Sequence, residues 1–265
     1  MRYLTVLALL LLVPVAVLAA EENKEAAALP TATDLIKQWD ALRYYHRDLG
    51  LQDFQADLNC NLYSGLVETR LGRKPQFKLY WRWPSHCKIT IANVPEKLQG
   101  VPADVCAAMQ SQAVYLIPKC FSDIVGHYQI TIGLEKSGAG NVLTGQALDN
   151  ENPVRSFNTY LDKEGKELKT TWLTTAGSNI TRTVAGSTTR DARQLITDLQ
   201  MEVHHANGTT SKYAIHTDFA QVGRYWLPAV MSINYADRAP VVFVLGRYKV
   251  NTGLSESFFK ERDGK

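Results

Sequence analysis

The chain has 265 residues, 45% of them hydrophobic, and a formal net charge of +3. That charge is too small, and its Lys and Arg are too dispersed, to argue for a nucleic-acid partner. What the composition supports is a soluble globular protein with a sizeable core, as one large all-β domain or two small ones.

Residues 1–20 read as a secretory signal peptide. Arg2 charges the start, Leu4 to Leu18 is apolar apart from Thr5 and Pro14, and Ala19-Ala20 precedes Glu21-Glu22. The apolar run is too short and too early for a convincing spanning helix, although an uncleaved anchor is the alternative. A second cut within Ala26 to Ala28 is open. Cleavage after Ala20 removes Arg2 and takes the charge from +3 to +2. No cysteine follows the cut, so the expected mature chain lacks the usual site for a bacterial lipid anchor. Residues 21–32 are charged and alanine-rich and read as a disordered lead-in.

A single domain is expected over 33–255, with a tail at 256–265. Thr33 is the expected N-cap of a helix over 33–49, with Leu35, Ile36, Trp39, Leu42, Tyr45, His46 and Leu49 on one face and Gly50 at its end. The period then becomes two. Phe54, Ala56, Leu58, Cys60 and Leu62 form one face of a strand, and after a turn at Gly72 to Pro75 the same holds for Phe77, Leu79, Trp81 and Trp83. Cys87, Ile89 and Ile91 face inward on a third strand. Residues 102–112 read as a short helix, and Pro118 bars a continuous helix in the mixed stretch after it.

Strands resume with Tyr128, Ile130, Ile132 and Leu134, followed by strands at 142–147, 157–162 and 166–174 and a threonine-rich strand or loop at 178–186. The segment from Leu195 to Phe219 is a hairpin turning at Asn207-Gly208. Of two registers, a three-residue loop is preferred. It sets Met201 opposite Tyr213, Leu199 opposite Ile215 and Leu195 opposite Phe219, with Glu202 facing Lys212 and Asp198 facing His216 on the other side. Strands at 225–234 and 240–250 complete the order. No period repeats, which argues against a propeller or solenoid.

Cys60, Cys87, Cys106 and Cys120 in an exported chain are disulfide candidates with three possible pairings. Cys106–Cys120 is favoured because its loop is local, leaving Cys60–Cys87. If the second strand lies between the first and third, however, that last pair is about 9.6 Å apart, against a limit of about 7 Å. The spacings match no zinc finger. His204, His205, His216 and Asp218 suggest a metal cluster, but neighbouring residues on a strand point to opposite faces, so no metal is expected. No Gly-x-Ser-x-Gly elbow exists, and Gly138-Ala-Gly140 precedes no helix. With no catalytic constellation to assemble, an enzyme is not expected, nor is a cofactor. The heavy inward load on the aromatic strand needs a cover, and a long curved sheet with few helices either packs on itself or leaves a cavity.

The order of elements resembles the LolA-like periplasmic lipoprotein carriers. It has a leader, an amphipathic helix, the segment Phe54 to Leu58, and a basic-proline-aromatic stretch from Gly72 to Pro84. The segment from His216 to Met231, with Tyr225-Trp-Leu-Pro, is similar to a strand of outer-membrane lipoprotein-sorting proteins. The resemblance covers roughly residues 33–250. It implies a mainly β (α+β) fold, an incomplete antiparallel β-barrel or curved sheet with covering helices at 33–49 and 102–112. It implies an apolar cavity lined by Phe54, Leu58, Phe77, Leu79, Trp81 and Trp83, to which the inward positions Tyr128, Ile130 and Trp226 are added. Lys74 stands where the family has the arginine that ties the lid, with Arg73 before it. Lysine lacks the planar fork of arginine, so Arg73 is the other candidate latch. The function implied is that of a periplasmic chaperone of outer membrane biogenesis. It would carry lipoprotein acyl chains or phospholipid between inner- and outer-membrane transfer proteins. The alternative is an envelope lipid-sensing or protein-interaction module on the same fold, without transport.

Overall fold

The computed structural model describes residues 30–84, 86–92, 94, 105–110, 117–118, 120–135 and 140–260. The expected signal peptide and residues 21–29 of the expected lead-in lie outside them. From Thr31 onward the chain forms one unit.

Twelve strands build it: β1 (Asp53–Cys60), β2 (Phe77–Arg82), β3 (His86–Ile91), β4 (Tyr128–Leu134), β5 (Gly140–Ala147), β6 (Val154–Asp162), β7 (Glu167–Thr174), β8 (Asn179–Arg190), β9 (Arg193–His204), β10 (Thr210–Val222), β11 (Tyr225–Tyr235) and β12 (Val241–Val250). They lie in one curved, unclosed antiparallel sheet in the order β3-β2-β1-β12-β11-β10-β9-β8-β7-β6-β5-β4. β4 follows β3 in sequence yet sits at the opposite edge, so the intervening chain connects the two edges. The other non-sequential pairing is β1 with β12.

The β9–β10 hairpin has the expected register: Met201 pairs with Tyr213, Leu199 with Ile215, Glu202 with Lys212 and Asp198 with His216. The paired ladder stops at Asp198–His216, so Leu195 and Phe219 are not paired; on its other edge Leu195 pairs with Thr188 of β8. Gly208 supplies the left-handed residue of the turn at φ +83.

Helices depart further from expectation. Helix α1 spans Ala32–Leu42 and begins at Thr31, not Thr33, because Thr31 and Asp34 form a reciprocal capping box. It ends at Leu42 rather than continuing to 49. Arg43 bridges to Gln194 of β9, and the Tyr44 amide donates to the Gln194 carbonyl at 2.9 Å, so the chain turns extended there. A separate 3₁₀ turn, His46–Leu49, ends at the left-handed Gly50. Helix α2, Asn61–Leu71, was not expected. Leu62, assigned to the face of β1, is 46% exposed on it. Asn61 makes the strand-to-helix corner: its side-chain oxygen accepts from the Leu62 and Val242 amides, and its amide donates to the Pro240 carbonyl. Residues 105–110 are helical (α3) and fall within the expected 102–112, the rest of which lies outside the described residues. Helix α4 is Ser122–Val125. The expected tail contains helix α5, Glu256–Lys260. Its approach is fixed by buried Asp53, which accepts from the amides of Thr252, Gly253 and Leu254.

β11 and β12 pair only over Val230–Ile233. Pro228 has no amide to donate, and the strands part beside it. The opening is filled by side chains of the segment after α1. His46 Nε2 lies 2.6 Å from the Trp226 carbonyl, and the Trp226 amide donates to the Tyr44 hydroxyl at 2.9 Å. His46 is almost wholly buried, and burial pushes its pKa down to about 4, so it stands neutral at physiological pH.

The interior holds two apolar clusters. One is built on β1, β2, β3 and β9–β12, with Val67 of α2 and Met109 of α3. The other joins Leu35, Ile36 and Trp39 of α1 to Phe121, Tyr128, Leu143, Phe157 and Leu161.

No two of the four cysteines are bonded to each other. The register rules out the Cys60–Cys87 pairing. Cys87 pairs with Trp81, which lies opposite Phe54, six residues along β1 from Cys60. That separation is about 20 Å along the strand, in addition to two strand spacings. Cys106 and Cys120 are both buried.

Candidate functional site

A cavity of about 630 Å³ lies between the two clusters. Its size is that of a small-molecule or cofactor site. One wall is the inner face of β6–β9, the other is α1 with the described residues between β3 and β4. Trp39, Phe121, Ile117 and Pro118 come from the cover; Tyr128, Phe157, Trp172, Ile180 and Met201 come from the sheet; Trp81 and Cys87 come from β2 and β3.

The sheet wall follows from register. Thr159 lies opposite Thr170, Thr170 opposite Arg182 and Arg182 opposite Met201, one row across four strands. The next row sets Phe157 opposite Trp172 and Trp172 opposite Ile180. Gly145 faces Phe157, whose ring sits where a Cβ would be, 2.2 Å from its position. Glycine here lets the aromatic ring pack directly against the backbone.

The cover is tied together and tied down. The rings of Trp39 and Phe121 pack at a tilt of 44° with centroids 4.1 Å apart. Asp40 of α1 accepts from the Phe121 and Ser122 amides at 2.9 and 3.0 Å. Gln38 donates to the Glu164 carbonyl in the β6–β7 turn at 3.0 Å. Arg43 Nη1 donates to Glu167 Oε2 at 2.9 Å. Glu167 Oε1 in turn accepts from Arg182 Nη2 at 2.6 Å, from its Nε at 3.1 Å, and from Thr170 at 2.8 Å. Burial alone would raise the Glu167 carboxyl, but the guanidiniums of Arg182 and Arg43 outweigh it and hold its pKa below the usual carboxylate value.

Of the expected cavity residues, Trp81 and Tyr128 line the cavity. Phe54, Leu58, Phe77 and Leu79 do not; they are packed within the first cluster, where facing large side chains fill the space. Trp83 lies beyond the end of β2 beneath the Arg47 guanidinium, 4.8 Å from its ring centroid. Ile130 packs half-buried against the second cluster. Trp226 is on the opposite face of β11 from buried Leu227 and stacks with Arg190. Arg73 and Lys74 are exposed on the turn after α2 and do not line the cavity. The arginine that fastens α1 to the sheet is Arg43.

Cys87 reaches the cavity wall, but burial pushes its thiol up to about 12, so it is a packed thiol at neutral pH. His216 pairs with Asp198 at 2.6 Å, as expected, and with Asp218 at 3.2 Å. His204 and His205 bond to Thr210 and Ser211. Among the described residues no group of three or more His, Cys, Asp or Glu is placed to hold a metal.

These features define a class of architecture: an open antiparallel sheet whose inner face holds an apolar cavity beneath a helical cover. Solved structures similar to the chain include a domain described as an outer membrane lipoprotein-sorting protein from Vibrio parahaemolyticus, at 13% identity and TM-score 0.37, covering 85% of this chain and 94% of that one. A LolA superfamily protein from Nitrosomonas europaea is similar at 11% identity and TM-score 0.33, over 88% of this chain and 98% of that one. A DUF1329 family protein from Desulfovibrio piger is similar at 12% identity and TM-score 0.36, over 85% and 94%. No protein-family model matches the chain, and no curated protein matches it. At these identities and TM-scores the likenesses carry no argument about function, which rests on the cavity.

Proposed function

We propose that the chain is a lipid carrier that holds acyl chains in this cavity. The observation that carries the reading is a cavity of about 630 Å³ with mainly apolar and aromatic walls, kept open between two packed clusters. An acyl chain in water costs about 0.8 kcal/mol per exposed CH₂, so it needs an escort between membranes. A covered apolar space provides one without chemistry. With residues 1–20 as a signal peptide, the compartment is the periplasm. The passenger is a lipoprotein or a phospholipid received from and delivered to membrane transfer proteins, in the service of outer membrane biogenesis.

Native mass spectrometry of protein purified from an envelope fraction tests the reading. Copurified lipid is expected, and its amount should fall in Met201→Trp, where the added indole occupies cavity space. Protein that is lipid-free and takes up no phospholipid or lipoprotein on incubation would overturn it.

A further inference from the structure

The cavity is apolar but not neutral. Arg43 and Arg182 are the charged residues that line it, and no carboxylate is among the described lining residues. Glu167 sits behind them with 1% of its side chain exposed, while Arg43 and Arg182 keep 11% and 25%. Two guanidiniums against one carboxylate leave the cluster at +1. Arg43 uses Nη1 and Arg182 uses Nε and Nη2 on Glu167. Among the described residues, Arg182 Nη1 and Arg43 Nε and Nη2 form no hydrogen bond.

The guanidiniums are also held in place from the side. Arg43 stacks 5.6 Å from the centroid of Trp39, and Arg182 5.0 Å from that of Trp172. Both indoles line the same cavity. Their donors are thus oriented before anything binds. A net charge beside apolar walls is unfavourable unless it is paired, and a second anion would complete the pairing. Planar guanidinium favours carboxylate and phosphate as that anion.

We infer that the ligand is an amphiphile with an anionic head, carboxylate or phosphate, seated on Arg43 and Arg182 with its acyl part among Trp81, Phe121, Ile117 and Met201. This rests on the lipid-carrier reading and adds the charge of the head and the direction in which the ligand lies. A neutral lipid would leave the arginine cluster unbalanced, and a free anion would leave the apolar walls unfilled.

Fluorescence titration with cis-parinaric acid and its methyl ester, which share one tail and differ in charge, is the test at pH 7.5. The acid is expected to bind at least about tenfold more tightly, the effect of a hydrogen bond to a charged group. Competition by dioleoyl phosphatidic acid against dioleoylglycerol asks the same of a phosphate head. Arg182→Gln should bring the acid-to-ester ratio close to one, and Arg182→Lys should keep part of it. The ratio is the readout because a general disturbance of the cavity moves both ligands. Preference in either pair supports the inference. Equal affinities in both pairs would overturn it and leave the carrier reading standing, and binding of none of the four lipids would overturn both.

Discussion

β2 and the β6–β8 wall both turn large side chains inward, with opposite results. On β2, Phe77 lies opposite Leu58, Leu79 opposite Ala56 on one side and Ile89 on the other, and Trp81 opposite Phe54. These side chains fill the space between the strands, and Leu79 is left 1% exposed. On β6–β8 the aromatic row of Phe157 and Trp172 adjoins a row of Thr159, Thr170 and Arg182. Short and polar side chains leave room that the cover does not fill. The cavity therefore opens beside the mixed rows of β6–β8, and of the inward β2 residues Phe77, Leu79 and Trp81 it is Trp81 that reaches it.

The largest way to sharpen that contrast is Leu79→Ala, expected to cost about 3–5 kcal/mol, as for a leucine deleted from a tight core. Met201→Trp, a buried residue at the edge of the cavity, should cost less, about 1–2 kcal/mol. Denaturant midpoints compare them, and a larger loss at Met201 would mean the cavity region is as tightly filled as the core. Next is Glu167→Gln, which leaves two neighbouring guanidiniums without their carboxylate. It should cost about 3 kcal/mol by the same measurement, and a change below about 1 kcal/mol would remove the ion cluster from the account of the cavity wall.

The seam beside β11 gives a third effect, in pH. His46 is neutral when folded, with a pKa of about 4, whereas the unfolded chain takes up a proton near 6.5. Stability is thus complete above about pH 6.5 and falls as pH drops towards 4. The 2.5-unit difference corresponds to about 3 kcal/mol. Glu167 has the opposite chemistry and a lower window. Its depressed carboxyl adds stability above the ordinary carboxylate value, and that stability is lost only below it. Urea midpoints between pH 7 and 4 should show the His46 slope, and His46→Asn should flatten it. A slope unchanged in that variant would place the acid sensitivity elsewhere. The smallest effect lies outside both regions. Asp191 and Ala192 turn the β8–β9 hairpin with φ +50 and +60. Ala192→Gly should stabilise by about 1 kcal/mol, read from the thermal midpoint, because alanine is strained there.

Legibility in the sequence followed locality. The β9–β10 register was readable because Asn207-Gly208 fixes the turn and Glu202–Lys212 and Asp198–His216 reject the alternative. The curved, open sheet was readable from strand after strand of period two. Helix α2 was not: Tyr63, Val67 and Leu71 pack on the first cluster at a spacing of four, but exposed Leu62 and Leu66 on another side blur that stripe. The break after α1 depends on Gln194, and the β1–β12 pairing on a partner near the other end of the chain; neither has a local signature. The cavity wall was missed for a related reason. A threonine-rich strand reads as a solvent face, and nothing near Arg182 in sequence announces that Glu167 and Arg43 will meet it. The one available hint was Arg182 at an inward position between Ile180 and Val184.

β1 is hydrogen-bonded between β2 and β12. A chain emerging N-terminus first from the ribosome therefore exposes β2, with Phe77 and Trp81, about 160 residues before the strand that joins it to the rest of the sheet; by residue numbers, Val241 follows Trp81 by 160. Such distant pairing folds slowly. Until β12 is available, β1–β3 has no hydrogen-bonded link to the remaining strands of the sheet, and the two halves of the first cluster cannot close on each other.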